Sequence, residues 1–550
     1  MLKLLTGGAL AAVLVVVVPS LPAVADPAGS SASAPEVASA TTAEPSPVSS
    51  ESAAAAAGDA LAAAGEVFDG VPASSHPTLG QQPPAEAEPD ATVTLRDLAM
   101  RLPDLPTSRE RRSAQRILQR PTDGDVSQTG EPKYTVDAAV TCTTSVCVHW
   151  VENDANAPTG SDGDPATIPS WVSTTLSTVD SVYTTETRTL GYRAPLTDVS
   201  AADNGGDGRL DVYLADVSGA GLFGYCVPDD PAQDTNRSVS GYCVLDNDFA
   251  SAQYGTAHTP LQNLQVTAAH EIFHTVQFAY DWTEDLWLME GTAAWIEDEL
   301  FDGVDDNRRY LAISPLAASD LPLDFSSDQW AGYGSWAFWR FLSEWMAPRG
   351  ASEDQTVIRQ VWEAAAGSTY STAALGRVLA AQGTSLAEAL TVFGIWNRNP
   401  GQFYTEGRAY HATPLLARRT FTRGSRSLRT HVTRLHHLAQ RFVRFTPGTA
   451  LRGHWRLRVA VAMPARSRGS HAWLVVHRRS GGVGAYPVPL NRSGDGARTV
   501  GFDRRTTAYV ELSLVNASTR FTCGRRTYLT CAGVPLDDGL QSAFAARVTR

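Results

Sequence analysis

Apolar residues spaced three and four positions apart run through the middle of the chain, and this spacing predicts a largely helical region. The most regular segment is Thr267–Leu300, in which Ala269, Ile272 and Val276 lie on one side of a first helix and a second apolar helix follows. Further segments with helical spacing are residues 168–187, 330–345, 354–366, 372–381 and 386–397.

Alternating apolar and polar residues predict strands on both sides of this helical region. Before it, residues 138–151 predict a hairpin and Leu210–Val217 predicts a single strand. After about residue 420, short alternating runs recur between turn residues, namely 440–445, 455–463, 472–476, 499–502 and 508–515. We therefore expect an α+β fold, with a first folded domain over residues 134–419 and a small β-sandwich over residues 420–550.

The N-terminal residues have the composition of segments that precede a folded domain. Lys3, the apolar run Ala9–Val18 and the small residues before Asp26 predict a signal peptide over residues 1–25, and hence a secreted protein with no membrane anchor. Residues 26–133, named the proregion here, are rich in Ala, Pro, Ser and Glu. We expect the proregion to be disordered except for short helices near residues 52–68 and 94–119.

The six cysteines agree with an extracellular location. They fall into three local pairs, and this clustering favours three short-loop disulfides, as is common in secreted proteins. The pairs are Cys142 with Cys147, Cys226 with Cys243, and Cys523 with Cys531.

Charge is distributed unevenly along the chain. Residues 401–550 contain 25 arginines, no lysine and six acids, a formal charge of +19, whereas residues 1–400 carry −32, for a total of −13. A basic C-terminal domain of this kind indicates an anionic partner, such as a cell-wall polymer or the acidic catalytic part of the same chain. Secretion argues against nucleic acid, and compositional bias towards arginine is the alternative explanation.

The segment His270-Glu271-Ile272-Phe273-His274 carries the strongest chemical signal in the chain. On a helix, residues four apart share one face, so both imidazoles can point at a single ion. Two imidazole nitrogens suit zinc, and Glu271 beside them can take a proton from water activated by the ion. An H-E-x-x-H arises by chance in roughly one in a hundred chains of this length, so two unrelated histidines are the weaker explanation.

A catalytic zinc takes three protein ligands and keeps a fourth position open. The helix predicted from Trp287 carries Glu290 in its first turns, and this acid is the expected third ligand. Glu297 and Asp298, about two turns further along, are the alternatives, and Glu297 shares the face of Glu290.

Together the two segments resemble the gluzincin metallopeptidases, the clan of thermolysin and aminopeptidase N. The aminopeptidases carry a W-L-N-E-G-F-A segment much like Trp287–Ala293. The resemblance implies a catalytic domain with a small mixed sheet, active-site helices and a helical C-terminal lobe. It also implies one catalytic zinc ion, three ligands and a general base: His270, His274, Glu290 and Glu271.

Two further features follow from the resemblance. Thermolysin-type enzymes carry an aspartate four residues after the third ligand to orient a zinc histidine, but Ala294 occupies that position, so Glu297 is the candidate for this role. The segment from Tyr333 resembles the helix start that places a tyrosine on the oxyanion in aminopeptidases. A structural tyrosine in a cluster with Trp330, Trp336 and Phe338 is the alternative for Tyr333.

Two other segments are candidates for binding. In gluzincins an edge strand of the sheet binds the substrate backbone, and Leu210–Val217 or the loop 219–224 is the candidate for that role. Asp203, Asp207 and Asp211 half-match a calcium loop, for which a Gly-Asp turn is the alternative.

The function expected from these observations is that of a secreted zinc endopeptidase acting on peptides or proteins. The G-x-M-E-N segment by which aminopeptidases bind a free amine is not found in the sequence, which favours an endopeptidase. The alternatives are an aminopeptidase of the same clan, or a surface-binding protein whose peptidase domain is vestigial.

Overall fold

Helices and strands alternate in the first half of the chain, helices follow, and strands make up the end. A computed structural model describes residues 50–69, 91–123, 130–201, 203–229, 237–326, 329–367 and 369–550. The predicted signal peptide, residues 1–25, lies outside the described residues. The helices are α1 (Ser50–Glu66), α2 (Ala91–Arg101), α3 (Ser108–Ile117), α4 (Ser170–Thr184), α5 (Ser251–Tyr254), α6 (Pro260–Asp281), α7 (Leu286–Phe301), α8 (Gln329–Gly334), α9 (Trp336–Trp345), α10 (Thr356–Ala365), α11 (Ser371–Ala381), α12 (Leu386–Arg398) and α13 (Pro400–Phe403).

A five-stranded mixed sheet precedes the predicted zinc helices. Its strands are β1 (Ala139–Cys142), β2 (Val146–Trp150), β3 (Leu210–Ala215), β4 (Gly224–Pro228) and β5 (Gly241–Asp246). The spatial order is β1-β2-β3-β5-β4, with β2, β3 and β5 parallel and an antiparallel strand at each edge. The predicted hairpin is therefore confirmed, as β1 and β2 joined by the Cys142–Cys147 disulfide.

The position of β3 corrects one expectation. Leu210–Val217 was a candidate edge strand, but β3 lies between β2 and β5 and all six of its residues are buried. The edge strand next to α6 is β4, which begins at Gly224, the last residue of the other candidate, the 219–224 loop. The alternation of polar and apolar residues in β3 wrongly indicated an edge strand. Its polar residue Asp211 is buried, where Arg120 and His149 bind it.

Helices cover both faces of this sheet. On one face α4 and α6 pack against apolar side chains of alternate strand positions, including Val148, Val212 and Leu245. On the other face α1, α2 and α3 of the proregion pack against the intervening positions, including Tyr213 and Tyr242. The predicted helices of the proregion are thus present, and they form part of a buried core.

The helical region has one extended core. Its members include the tryptophans of α7, α9 and α10, of which Trp287, Trp336 and Trp362 are fully buried. The segment predicted as one helix over residues 330–345 is divided into α8 and α9 at Ser335. Within the described residues no single helix has the length and apolar character to cross a membrane, although α11 and α12, bent by 91°, pass that test as a pair.

The C-terminal strands form two larger sheets. The strands are β6 (Ala417–Phe421), β7 (Ser427–Leu435), β8 (Ala439–Pro447), β9 (Arg456–Ala462), β10 (Ser470–Arg478), β11 (Val483–Pro487), β12 (Asp495–Gly501), β13 (Thr507–Asn516), β14 (Phe521–Thr522), β15 (Val534–Pro535) and β16 (Leu540–Thr549). One sheet has the order β11-β10-β13-β8-β6 and the other β12-β9-β16-β7. Both contribute to one apolar cluster, in which Phe445, Leu512 and Phe544 are buried.

All three predicted disulfides are present: Cys142–Cys147, Cys226–Cys243 and Cys523–Cys531. The description as an α+β protein is confirmed, because several sheets coexist with the helices. The boundaries at residues 134 and 420 stay predictions. Arg398 of α12 binds Glu511 of β13, with 2.9 Å between Nη2 and Oε1, so charged contacts join the helical region to the C-terminal sheets.

Candidate metal centre

Helix α6 carries the H-E-x-x-H segment through the interior of the protein. Thr259 caps its N-terminus, accepting a hydrogen bond from the Gln262 backbone amide while the Gln262 side chain bonds back to the Thr259 backbone amide. From Leu264 to Asp281 almost every residue of α6 is buried, the polar residues of the helix as well as the apolar ones. A helix enclosed all round has fixed side-chain directions, so His270 and His274 have little freedom to turn away from each other.

Helix α7 brings the third predicted ligand to these histidines. Oε2 of Glu290 lies 3.2 Å from Nε2 of His270, and Oε1 of Glu290 lies 3.6 Å from Nε2 of His274. One ligand atom from each of the three side chains lies within 4.8 Å of the other two. Groups at this spacing could hold one metal ion, and zinc binding by them stays a prediction.

Gly291 explains how α7 is held at this depth. A Cβ atom at this position would lie 2.0 Å from Oγ of Ser335 and 2.7 Å from Nε1 of Trp339. Any larger residue would therefore push α7 away from the start of α9. The glycine after Glu290 is thus a packing requirement between α7 and α9.

Two acceptors fix which ring nitrogen of each histidine carries the proton. Oε1 of Glu297 lies 2.6 Å from Nδ1 of His270, and Oε1 of Gln277 lies 2.8 Å from Nδ1 of His274. The Gln277 amide is oriented in turn, because its Nε2 donates to the backbone oxygen of Met289 at 2.9 Å. Each Nδ1 therefore has an acceptor to which it can donate, and each Nε2 faces Glu290 and is the atom that would bind a metal ion.

This arrangement concentrates acceptors at one point. Two imidazole Nε2 atoms and a carboxylate face one another among buried side chains, and positive charge between them, either a proton on an imidazole or a bound cation, stabilises the set. Burial opposes protonation of His270, but the carboxylates of Glu290 and Glu297 outweigh it and raise the pKa of the imidazole well above its ordinary value. The same negative potential favours a divalent cation.

The donor set fits zinc. Two imidazole nitrogens and one carboxylate oxygen are the ligands of many catalytic zinc sites, whereas calcium and magnesium take oxygen ligands almost exclusively. Three protein ligands also leave a coordination position for a reactant. His270, His274 and Glu290 are therefore the residues that would hold the ion.

Glu271 lies beside this set and is not one of its members. Its side chain is buried, and its Oε2 accepts a hydrogen bond of 3.0 Å from Oγ1 of Thr92, in α2 of the proregion. The same Thr92 oxygen accepts a 2.9 Å hydrogen bond from the backbone amide of Cys226 in β4. The predicted base thus lies between α6 and the edge strand β4, a region named the cleft here, where it contacts Thr92 of the proregion.

Tyr333 lies against the metal centre. Its ring stacks on the ring of His270, with 5.3 Å between centroids, and on Tyr310, with 4.8 Å. Tyr333 also packs against the core cluster that contains Trp336 and Phe338, two of the aromatic residues named from the sequence, so the structural alternative for Tyr333 stays open. The role of Tyr333 as an oxyanion donor stays a prediction.

The alternative third ligands have other surroundings. Glu297 is bound to His270 from the side opposite Glu290, as predicted for the orienting acid. Asp298 points elsewhere, with its Oδ2 3.6 Å from Nη1 of Arg340. Of the three acids considered as third ligand, only Glu290 contacts both histidines in the described part of the chain.

The predicted calcium loop has different partners for its acids. Oδ2 of Asp211 lies 2.6 Å from Nη1 of Arg120, while Asp207 forms a salt bridge with Arg209. Among the described residues, Asp203, Asp207 and Asp211 do not form a group with ligand atoms close together. Calcium binding there stays a prediction.

Two site residues could not be identified from the sequence. Gln277 was not predicted because it neither titrates nor binds metal directly. Its position three residues after His274 on the same helix is the signal by which it could have been found. Thr92 lies 179 positions before Glu271, in a segment with no motif, so no local pattern connects them.

Comparison with known proteins does not assign the chain to a family. No protein-family model matches the sequence, and no curated protein matches it significantly. The argument for function therefore rests on the residues of α6 and α7 and on their geometry.

Proposed function

We propose that the protein is a secreted zinc-dependent endopeptidase of gluzincin type. The observation that carries this proposal is the convergence of Nε2 of His270, Nε2 of His274 and the Glu290 carboxylate beside a separate buried carboxylate, Glu271. Three ligands and an independent base are what metal-assisted hydrolysis of an amide requires. The three disulfides agree with secretion.

The finer fold belongs to the same proposal. A mixed sheet followed by two ligand-bearing helices and a helical lobe is the order expected of a gluzincin catalytic domain, and the two C-terminal sheets around one apolar cluster are those of a β-sandwich. Strand β4 would bind the substrate, because it is the edge strand that packs on α6.

The reaction follows from the positions of the side chains. A zinc ion held by the three ligands supplies a Lewis acid for the substrate carbonyl and for water. Glu271 accepts the proton of the attacking water and delivers it to the leaving amine, so that one carboxylate serves as base and then as acid. Glu297 and Gln277 hold the two imidazoles in the tautomer that binds metal.

The substitution Glu271→Gln tests the proposal. It keeps the size of the side chain and leaves all three ligands in place, so the variant should bind one zinc ion per chain and lose at least a thousandfold in kcat/KM on an unfolded protein substrate. Glu363→Gln is the matched control, because Glu363 is partly exposed and pairs with Arg359 on α10. Undiminished cleavage by Glu271→Gln would refute the assignment.

Endopeptidase and aminopeptidase activity are separated by the substrate. The endopeptidase should cleave an internally quenched peptide equally well with an acetylated and with a free amino terminus. A requirement for the free amine would establish the aminopeptidase alternative instead.

We also propose that the basic C-terminal sheets bind an anionic polymer. Arg458 of β9 and Arg547 of β16 are directly opposed across neighbouring strands, both are exposed, and Arg456 lies further along β9. Like charges in this position repel one another and favour a bound polyanion. Replacing all three by glutamine should abolish salt-sensitive retention on immobilised polyglutamate, and unchanged retention would contradict the proposal.

A further inference from the structure

Helix α2 of the proregion lies in the cleft where the substrate of the proposed peptidase must bind. Eight of its eleven residues are buried, and Leu95, Leu98 and Ala99 are fully enclosed. The helix packs against β4, the sheet edge next to α6. Because β4 is the strand available for pairing with an extended peptide, α2 covers the strand at which that peptide would bind.

The side chain of Thr92 in α2 binds two groups that the proposed catalysis needs, the Glu271 carboxylate and a backbone amide of β4. The Thr92 hydroxyl donates to Oε2 of Glu271 at 3.0 Å and accepts from the backbone amide of Cys226 at 2.9 Å. The attacking water must donate to that carboxylate, and a bound substrate strand must accept from a β4 amide of this kind. A water that donates to Oε2 of Glu271, or a substrate that accepts from the Cys226 amide, would therefore have to displace Thr92.

A second side chain of α2 fixes the helix to the helix pair of the metal centre. Nη1 of Arg96 donates to the backbone oxygen of Glu284, between α6 and α7, at 3.0 Å and also contacts Sδ of Met289, the residue before the ligand Glu290. Its guanidinium is buried and pairs with Asp97 of the same helix. Leaving the cleft therefore breaks hydrogen bonds at both Thr92 and Arg96.

The end of the proregion is held separately. Arg120 binds the carboxylates of Asp198 and Asp229 at 2.8 and 2.6 Å, besides Asp211. The proregion is thus held on the sheet by Arg120 as well as by its helices. Displacing α2 would expose Glu271 and β4, while α1, α3 and Arg120 still hold the rest of the proregion on the sheet.

We propose that α2 is an inhibitory segment that keeps the peptidase latent by hydrogen bonding to its base and covering its substrate-binding edge strand. This inference rests on the proposed function. The kind of ligand that fits the cleft follows from the contacts of α2: a chain segment with a small hydroxyl or water next to Glu271 and apolar side chains directed at the sheet.

The test uses the purified full chain with two substitutions that release the helix, Thr92→Ala and Arg96→Ala together. The matched control is Thr94→Ala with Arg101→Ala, which makes the same chemical changes on the same helix. Three quantities are measured: zinc content, kcat/KM on an internally quenched peptide, and the hydrogen-exchange rate of the Cys226 backbone amide. The zinc content shows whether the metal centre is intact. The exchange rate of the Cys226 amide reports whether α2 has left the cleft, independently of catalytic activity.

The release variant should bind zinc like the wild type, gain at least tenfold in kcat/KM, and exchange the Cys226 amide at least tenfold faster. The control should stay within twofold of the wild type in both rates. A synthetic peptide of residues 91–101 added to the release variant should lower its activity again.

The outcomes separate the two proposals. The wild type and the release variant could cleave the peptide equally fast, with the same exchange rate at the Cys226 amide. That result would overturn the proposed inhibition and leave the peptidase assignment standing. Zinc-loaded protein that cleaves no peptide in any variant would overturn the peptidase assignment, and with it the inhibition. Should the release variant fail to fold, Thr92→Ala alone, which removes only a hydroxyl and a methyl group, is measured in the same way.

Discussion

If the proposed centre binds zinc, replacing Glu297 by glutamine should weaken that binding although Glu297 is not one of the three proposed ligands. Its Oε1 lies 2.6 Å from Nδ1 of His270, and its side chain is 5% exposed, so the bond is short, charged and shielded from water. Glutamine keeps an acceptor at this place but removes the negative charge that raises the basicity of Nε2. Partners of this kind contribute about 10- to 100-fold to metal affinity, which corresponds to about 1.4–2.7 kcal/mol.

The measurement is a competition titration with a chromophoric zinc chelator. The dissociation constant of Glu297→Gln should be about 10- to 100-fold higher than that of the wild type, with the zinc stoichiometry still one at saturation. Glu363→Gln serves as control and should change the constant by less than about twofold, because a partly exposed pair on a helix contributes about 0.5 kcal/mol or less. Thermal unfolding of both variants establishes that the fold is retained.

One result would refute the reasoning. If Glu297→Gln binds zinc as tightly as the wild type while His270→Ala loses it, then the 2.6 Å contact does not influence the ligand, and Glu297 is only a buried packing residue.

Two further predictions concern stability. Burial opposes protonation of His437, but Asp324 and Asp538 outweigh it and raise its pKa to about 9, above the ordinary 6.5; the stabilisation from the charged ring is therefore fully present below pH 6.5 and lost as the pH rises towards 9. The free energy of unfolding of His437→Gln should accordingly fall below that of the wild type by about 3 kcal/mol at pH 6 and by little above pH 9.5, as followed by urea titration, and a pH-independent difference would contradict this. Arg120→Met should lower the free energy of unfolding by about 4 kcal/mol, because it leaves the buried carboxylates of Asp198, Asp211 and Asp229 without their cation. Arg112→Met, at an exposed position of α3, should change it by less than about 0.5 kcal/mol, and equal losses in the two variants would refute the role of the buried pairing.

The groups of the metal centre that were predictable are those related by helical geometry. His270 and His274 lie four residues apart, and Glu290 and Glu297 seven apart, so each pair shares a face whatever the rest of the chain does. The packing of α6 on α7 then places the two faces opposite each other. The motif and the helical period were sufficient for this part because both act over short distances in the chain.

The contacts of the proregion were not predictable in the same way. Nothing near Thr92 indicates a partner 179 residues away, and the composition of the preceding segment suggested disorder. Likewise, Asp211 in β3 suggested a solvent-facing side, but Arg120 and His149 bind it in the interior. In both cases the decisive partner comes from a distant part of the chain, which a periodic pattern does not encode.

The two-helix construction of the metal centre has a consequence for its use outside this protein. Both histidines, the base, the third ligand and the two groups that orient the imidazoles all lie within residues 270–297. Their relative geometry depends on the contact between α6 and α7 and on the close approach of α7 to Ser335 and Trp339 that Gly291 permits. A designed helical bundle that reproduces the α6–α7 contact and supplies a helix in the place of α9 would therefore receive all residues of the proposed zinc centre in one continuous segment, without the sheet or the C-terminal domain.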